Sequence, residues 1–337
     1  MPELIPAEPG SPEWLAARRA GVTATDIGTI LGLNPRDSAY SLYWRKLGQV
    51  PEVEDNDRFR LGRELEPYIM GRWGQAHPDS CYDTTGPALW RSTDRPWQMA
   101  STDSVLFDGE AKETKWGVEL PPAPMTGVLE CKTSATHDGW GSDGTADMPP
   151  HVRAQVLWQM DVMGVAAGHV GVVFLPSGEF RSYVIEHDCS AHGSYCREAG
   201  VKDLCPDCAV CTDLDLMRAA GEEFMARLRL ELPAPDPDAS AATLAAVRAR
   251  FARQPDKEAE VAGSLWQQFS EACERLDIWQ ATKRDAEIRL REQAGEASVL
   301  TVDGEPVARR YVMDQQVKAH TRHMDYLKRI KQEESDQ

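Results

Sequence analysis

The run Gly127-Val128-Leu129-Glu130-Cys131-Lys132-Thr133 constrains the fold more than any other stretch of the chain. It reads as a β-strand, and successive side chains of a strand leave on opposite faces. Glu130 and Lys132 therefore share one side, and Leu129 and Cys131 share the other. Upstream, Asp103 stands in Ser101-Thr102-Asp103-Ser104. A carboxylate and an ammonium on one face, beside a second carboxylate, suit the holding of a divalent cation and a water. That is the chemistry needed to hydrolyse a phosphodiester. Hard carboxylate oxygens favour Mg²⁺ or Mn²⁺. Taken alone, a Glu-x-Lys pair is ordinarily a weak, solvated ion pair, so its surroundings decide the assignment.

Those surroundings alternate between helical and extended patterns. Residues 12–20 predict a short helix. Thr23-Ala24-Thr25-Asp26 predicts the start of a second, with Thr23 as N-cap and Asp26 at the third helical position, running to Gly32. A third begins near Ala39 and closes at Gly48. A fourth covers about residues 59–75, with Leu61, Leu65 and Ile69 stacked at helical spacing. Residues 97–107 and 128–133 predict neighbouring strands, joined by a long, Pro-rich surface loop over 108–126. Pro149-Pro150 opens a helix carrying Val152, Val156, Met160 and Met163, and 169–175 with 180–186 predict a hairpin. The order is that of a mixed α/β core.

Residues 189–211 form a Cys-rich insertion, followed by a helix over about 213–232. Leu232-Pro233-Ala234-Pro235-Asp236-Pro237-Asp238 is a stiff polar linker. It divides a domain at 1–232 from a mostly helical region at 233–337. In that region Val261, Leu265, Phe269, Leu276 and Trp279 predict a packing stripe, and Asp303-Gly304 predicts a tight hairpin near 298–311.

The net charge of −17 argues against indiscriminate nucleic-acid binding, because neutralising phosphates takes Lys and Arg. A basic track remains at 309–331, with Arg309, Arg310, Lys318, Arg322, Lys328, Arg329 and Lys331. It serves equally as a DNA contact or a solvated helix face. No apolar run approaches the ~18 residues of a membrane span, and the N-terminus lacks a signal-peptide pattern. The expected location is the cytoplasm (the host cell's, for a phage-encoded chain).

Of the cysteines, Cys189, Cys196, Cys205, Cys208 and Cys211 crowd into residues 189–211. Cys196, Cys205, Cys208 and Cys211 have tetrahedral zinc spacing, with His187, His192 and Cys189 as further candidates. A structural Zn²⁺ would order a segment poor in apolar residues. An iron–sulfur cluster is the alternative. Cys81, Cys131 and Cys273 read as structural.

Five scattered elements resemble the YqaJ-type viral recombinase nucleases, relatives of phage lambda exonuclease in the PD-(D/E)xK superfamily. The resemblance covers roughly residues 11–188. Trp14-Leu15-Ala16-Ala17-Arg18 followed by Gly21-Val22-Thr23-Ala24-Thr25 resembles the family's W-x3-R-x2-G-[IV]-T-[AG]-[ST]. Leu61-Gly62-Arg63-Glu64-Leu65-Glu66-Pro67 matches its G-x3-E-P helix. Ser101-Thr102-Asp103-Ser104 resembles its S-x-D-G, with Ser104 in place of the glycine. Glu130-Cys131-Lys132 and Ala154-Gln155-Val156 complete the set.

The resemblance implies a restriction-endonuclease-like core, a mixed central sheet flanked by helices. Asp103 and Glu130 are its expected Mg²⁺ ligands, with the Cys131 carbonyl and Glu66 completing the site. Lys132 would act on the attacking water, and Gln155 would position it. Arg18 and Thr25 would bind the terminal 5′-phosphate, a role that free N–H groups in the first turn of a helix favour. The implied activity is Mg²⁺-dependent 5′→3′ exonuclease digestion of linear double-stranded DNA in homologous recombination. The implied partners are a single-strand annealing protein and further copies of the chain, as a trimer. Alternatives are an endonuclease or iron–sulfur nuclease on the same core, or a non-catalytic DNA-binding or zinc-mediated interaction module.

Overall fold

The computed structural model describes residues 2–53, 55–83, 87–108, 112–114, 117–119, 124–187, 208–251, 254 and 257–310. Cys189, Cys196, Cys205, His192 and the basic residues from Lys318 to Lys331 lie outside them. Two compact units divide at Ala252 and Arg253.

In the first unit, β1 (Glu3–Ile5) precedes four helices, α1 (Pro12–Arg19), α2 (Ala24–Ile30), α3 (Ala39–Lys46) and α4 (Asp57–Ala76). Each start has a local cause. Ser11, Ser38 and Asn56 cap α1, α3 and α4 by accepting a backbone N–H three residues on. Thr23 caps α2, and its own N–H donates to Asp26 Oδ2 at 2.9 Å. Gly32 and Gly48 follow α2 and α3 in the left-handed conformation, at φ 69° and 70°.

The strands come next: β2 (Ser80–Tyr82), β3 (Ala88–Arg91), β4 (Met99–Thr102), β5 (Ser104–Asp108), β6 (Lys112–Thr114), β7 (Gly117–Glu119) and β8 (Met125–Ser134). Then follow α5 (Pro150–Met163), β9 (Ala167–Phe174), β10 (Glu179–Glu186), α6 (Ala209–Arg229) and α7 (Ala241–Arg250). The central sheet has the order β10-β9-β8-β5-β2. β8 and β9 run parallel, joined through α5, and the other pairs are antiparallel. This is the mixed α/β core expected from the resemblance.

Alternation along β8 sorts its faces. Val128 packs with Val152, Val156 and Met160 of α5. Leu129 and Cys131 pack with Ile69, Met70 and Trp73 of α4. The helices therefore cover opposite faces, and both approach closely. A Cβ on Gly168 of β9 would fall 2.3 Å from Val156 Cγ1. The expected stack on α4 is buried only at its C-terminal end, since Leu61 is exposed and Ile69 is buried.

Four expectations need correction. The single strand over 97–107 is two strands, broken at Asp103. β4 joins a separate sheet of order β1-β3-β4, and β5 joins the central one. The loop over 108–126 contains the antiparallel pair β6 and β7. The helix after the Cys-rich segment begins at Ala209, so it takes in Cys211. The apolar residues Val261, Leu265, Leu276 and Trp279 are exposed rather than packed. A helix can present an apolar stripe without anything to bury it against, and periodicity alone cannot tell the two cases apart.

Past the Pro-rich linker, α7 still belongs to the first unit. Thr243 Oγ1 donates to Ser38 Oγ at 2.7 Å, and the Arg250 guanidinium stacks 3.2 Å over the Trp44 ring. The second unit holds α8 (Gly263–Ala294) and a hairpin of β11 (Val299–Val302) and β12 (Glu305–Arg309). Its turn is Asp303-Gly304, both at positive φ, as the sequence predicts. Arg309 and Arg310 are exposed.

Candidate active site

Asp103 occupies the break between the two sheets. The β5–β8 ladder begins at Ser104 opposite Leu129. One residue earlier the chain turns away into β4, and Asp103 Oδ2 accepts the Cys131 N–H at 2.7 Å. A side-chain carboxylate thus satisfies the donor that a strand neighbour would otherwise take. This bond places Asp103 beside the Glu130–Lys132 segment.

Glu130 is buried at 3% exposure, so its charge needs partners. Lys132 Nζ and Gln155 Nε2 both donate to Oε1, the latter at 2.6 Å. Gln159 Nε2 donates to Oε2 at 2.6 Å and to the Ser101 carbonyl at 2.8 Å. Lys132 Nζ also donates to Gln155 Oε1 at 3.0 Å. Glu130, Lys132 and Gln155 therefore form a closed triangle of hydrogen bonds. The alternation argument holds, since Glu130 and Lys132 meet the α5 glutamines while Leu129 and Cys131 meet α4.

Glu66 approaches from α4. It is half-buried, whereas Glu64 is exposed. Burial, and then the Glu130 charge, raise its carboxyl above the ordinary value. Asp103 is raised well above its ordinary range by burial, Glu130 and Glu66, against the opposing pull of Lys132. Burial alone would lower the Lys132 ammonium, but Glu130 and Asp103 outweigh it and raise it. Burial and the three carboxylates push the Cys131 thiol up, so it stays protonated.

The charges of Glu66, Asp103 and Glu130 thus act on one another. Among the described residues, however, they do not draw within 4.8 Å as a trio. Two carboxyls whose proton affinity is raised, Glu66 and Asp103, beside the buried Glu130 are a donor set that a hard divalent cation would relieve. The residues fit Mg²⁺ or Mn²⁺ in the chemistry of their oxygens.

Arg18 reaches this region from α1. It donates to Ser101 Oγ at 2.9 Å and to Thr23 Oγ1 at 3.4 Å, and its guanidinium lies 4.3 Å over the Trp14 ring. The segment after it docks on β4. Val22 N–H donates to the Trp97 carbonyl at 2.7 Å, and Met99 N–H returns to Val22 at 2.9 Å. Gly21 has to be glycine here, because a Cβ would sit 2.4 Å from the Trp97 oxygen. Beneath, Lys46 Nζ donates to the Arg18 and Gly21 carbonyls and to Asp26 Oδ2, all within 2.8 Å. Thr25 is exposed in the first turn of α2.

Gln159 and Ser101 join the site although sequence reading did not select them. Gln159 lies one helical turn beyond Gln155, so the spacing of the two glutamines along one face of the helix was the available signal. α5 is itself held by a buried ionic cluster. Asp161 accepts from Gln98 at 2.6 Å, from Arg95 at 3.1 Å and from Arg218 Nε of α6 at 2.9 Å. Burial alone would raise this carboxyl, but its three donors hold it below its ordinary value. Of the predicted zinc ligands, Cys208 is the N-cap of α6, and Cys211 is buried in its first turn. Cys196 and Cys205 lie outside the described residues.

Residues 13–166 match the model of the family described as YqaJ-like viral recombinase domain. The uncharacterized protein YqaJ of Bacillus subtilis (strain 168) is 24% identical over 154 residues, which make up 45% of this chain and 42% of that protein. The chain thus matches less than half the length of that relative. Among solved structures, the alkaline exonuclease LHK-Exo from Laribacter hongkongensis is similar with a TM-score of 0.43 and 19% identity, over 66% of this chain and 94% of that one. LHK-Exo in complex with dAMP gives a TM-score of 0.42 and 17% identity over the same shares. No helix among the described residues is long and apolar enough to cross a membrane.

Proposed function

We propose that this chain, whose residues 13–166 carry a YqaJ-like viral recombinase domain, is a metal-dependent deoxyribonuclease. In this reading it digests linear double-stranded DNA from its ends in the 5′→3′ direction. The observation that carries the proposal is the hydrogen-bonded triangle of Glu130, Lys132 and Gln155 beside Asp103. A buried carboxylate, a lysine and an amide meeting at a break between sheets leave polar groups clustered where a phosphate can approach.

Asp103 and Glu130 would hold Mg²⁺ or Mn²⁺, with the Cys131 carbonyl and Glu66 beside them. Such an ion, when bound, supplies an activated water and offsets charge on the scissile phosphate. The chain's own groups do the rest. Lys132 is kept protonated by its carboxylate neighbours, so it serves as a donor toward the reacting phosphate and the attacking water. Negative charge grows on the phosphorane, and a fixed ammonium stabilises it more than the ground state. Gln155 keeps Lys132 aimed by accepting a hydrogen bond from its ammonium while donating one to Glu130.

Arg18 and Thr25 are the proposed contacts to the terminal 5′-phosphate. Arg18 bonds to Ser101, two residues before Asp103, so a phosphate held there would lie next to the reacting centre. Recognition of a chain end then sets the scissile bond in register. A role in phage-type recombination, with a single-strand annealing protein and as a homo-oligomer, follows the family resemblance.

The test compares linear with covalently closed circular duplex, with and without Mg²⁺. Linear DNA should be consumed only with the metal, and circles should persist. Lys132→Ala should lose at least about a hundredfold in turnover with an unchanged circular dichroism spectrum. Wild-type digestion by that variant would refute the assigned role, and cleavage of circles would make the chain an endonuclease.

A further inference from the structure

Sequence spacing alone offers four cysteines as zinc ligands, but the structure brings a histidine to two of them. β10 ends at Glu186, and His187 follows with its N–H fixed to the Ala166 carbonyl at 2.7 Å. The next described residue is Cys208, the N-cap of α6. Cys211 lies three positions on, so both thiols sit on one side of the first turn. His187 Nε2 is 3.0 Å from Cys211 Sγ. The ligating atoms of His187, Cys208 and Cys211 all lie within 4.8 Å of one another. Among the described residues no other trio of histidine, cysteine and carboxylate groups meets that condition.

We propose that His187, Cys208 and Cys211 ligate a structural Zn²⁺ that clasps the end of β10 to the start of α6. One nitrogen and two sulfurs are borderline-soft donors, which suit zinc and not the hard cation of the nuclease centre. Zn–S bonds of about 2.3 Å and Zn–N bonds of about 2.0–2.1 Å set the donors of a tetrahedral site roughly 3.5 Å apart. The three donor atoms, all within 4.8 Å of one another, lie near that spacing. The first turn of a helix also favours thiolate over thiol, through its free N–H groups and positive dipole end. A fourth donor, a further cysteine or a water, completes the tetrahedron and forms no part of the inference.

The clasp has a structural consequence. It ties the end of β10 to the N-terminus of α6. That helix buttresses α5 through the Arg218–Asp161 pair, through Arg153 to Asp213 at 3.1 Å, and through Leu214, Met217 and Phe224. α5 carries Gln155 and Gln159. The zinc therefore anchors the helix that backs the catalytic one, without touching the reacting centre.

The experiment measures metal content of the full chain by mass spectrometry after gel filtration, then the absorption of the cobalt-substituted protein. About one zinc per chain is expected, with the visible bands of tetrahedral cobalt. His187→Ala, Cys208→Ser and Cys211→Ser should each lose the zinc and those bands. Should a truncating variant fail to fold, His187→Cys decides. It should keep the zinc and add thiolate-to-cobalt absorption. A wild-type chain that binds no zinc would overturn the proposal. So would bound iron with sulfide, or unchanged zinc and cobalt spectra in all the variants. None of these readouts uses DNA digestion, so they stand apart from the nuclease proposal.

Discussion

Gln159 Nε2 lies 2.6 Å from Glu130 Oε2, and the same nitrogen lies 2.8 Å from the Ser101 carbonyl. An amide nitrogen has two protons, so both bonds coexist. One side chain of α5 thus ties β4, just before Asp103, to β8 at Glu130. The two sheets part at this point, and Gln159 sets how far apart their carboxylates stand.

Gln159→Leu keeps the volume and removes both bonds. It leaves a buried carboxylate oxygen and a carbonyl short of donors, which should cost about 1–3 kcal/mol of stability. Turnover should fall while DNA binding persists, because the metal ligands lose their relative placement. Denaturant melts and single-turnover digestion measure the two effects. Wild-type turnover would show that Gln155 and Lys132 suffice to hold Glu130.

Asp103 carries a proton affinity raised by burial and by neighbouring carboxylates. A raised carboxyl means that the folded state holds its proton more tightly than the unfolded chain does. Stability therefore falls as pH rises through the window above the ordinary aspartate value. At neutral pH, without metal, ionised Asp103 should weaken the fold. Asp103→Asn retains an oxygen for the Cys131 N–H and should melt higher in chelator, by roughly 2–4 °C. Mg²⁺ should raise the melting temperature of the wild type by mass action and leave the variant unmoved. An equal Mg²⁺ response in both would place the ion elsewhere.

Arg18 holds Ser101 from the α1 side. Arg18→Ala should abolish any preference for 5′-phosphorylated over 5′-hydroxyl ends. The comparison is of initial rates on two duplexes that differ only in that group. If the ratio of the two rates survives the substitution, the phosphate is read by other residues.

His169 of β9 packs 5.1 Å from the Trp73 ring and 5.6 Å from the His77 ring. Burial, and then the His77 charge, lower its pKa from 6.5 to about 4. The unfolded chain therefore takes up the proton first as pH drops. Stability should be lost as pH falls from about 6.5 toward about 4, by about 3 kcal/mol from this group. His169→Phe should flatten that acid limb in denaturant melts at pH 7 and pH 4. Parallel losses in the two proteins would assign the limb to other groups.

Much of the molecule was legible in its residues. The Thr23–Asp26 capping box of α2 and the terminal glycines Gly32 and Gly48 are short-range chemistry, and they formed where the pattern put them. So did the Asp303-Gly304 hairpin. The shared side of Glu130 and Lys132 follows from the period of a strand. Other features were not legible. Nothing in residues 97–107 signals that a strand breaks at Asp103, because the break is made by two sheets competing for the chain. The exposed apolar residues Val261, Leu265, Leu276 and Trp279 of the second unit show the converse, a regular pattern that does not by itself imply burial.

The sequence by itself determined most of the helices, the strand that carries Glu130 and Lys132, and the face those two residues share. Those properties depend on backbone sterics and on neighbours a few positions away. Only the tertiary structure decided that Asp103 would bond to Cys131, that Gln159 would bridge Ser101 and Glu130, and that His187 would meet Cys211. These contacts join segments 24 to 58 positions apart. Their partners are chosen by how whole elements pack, and packing is a property of three-dimensional shape that no local pattern encodes.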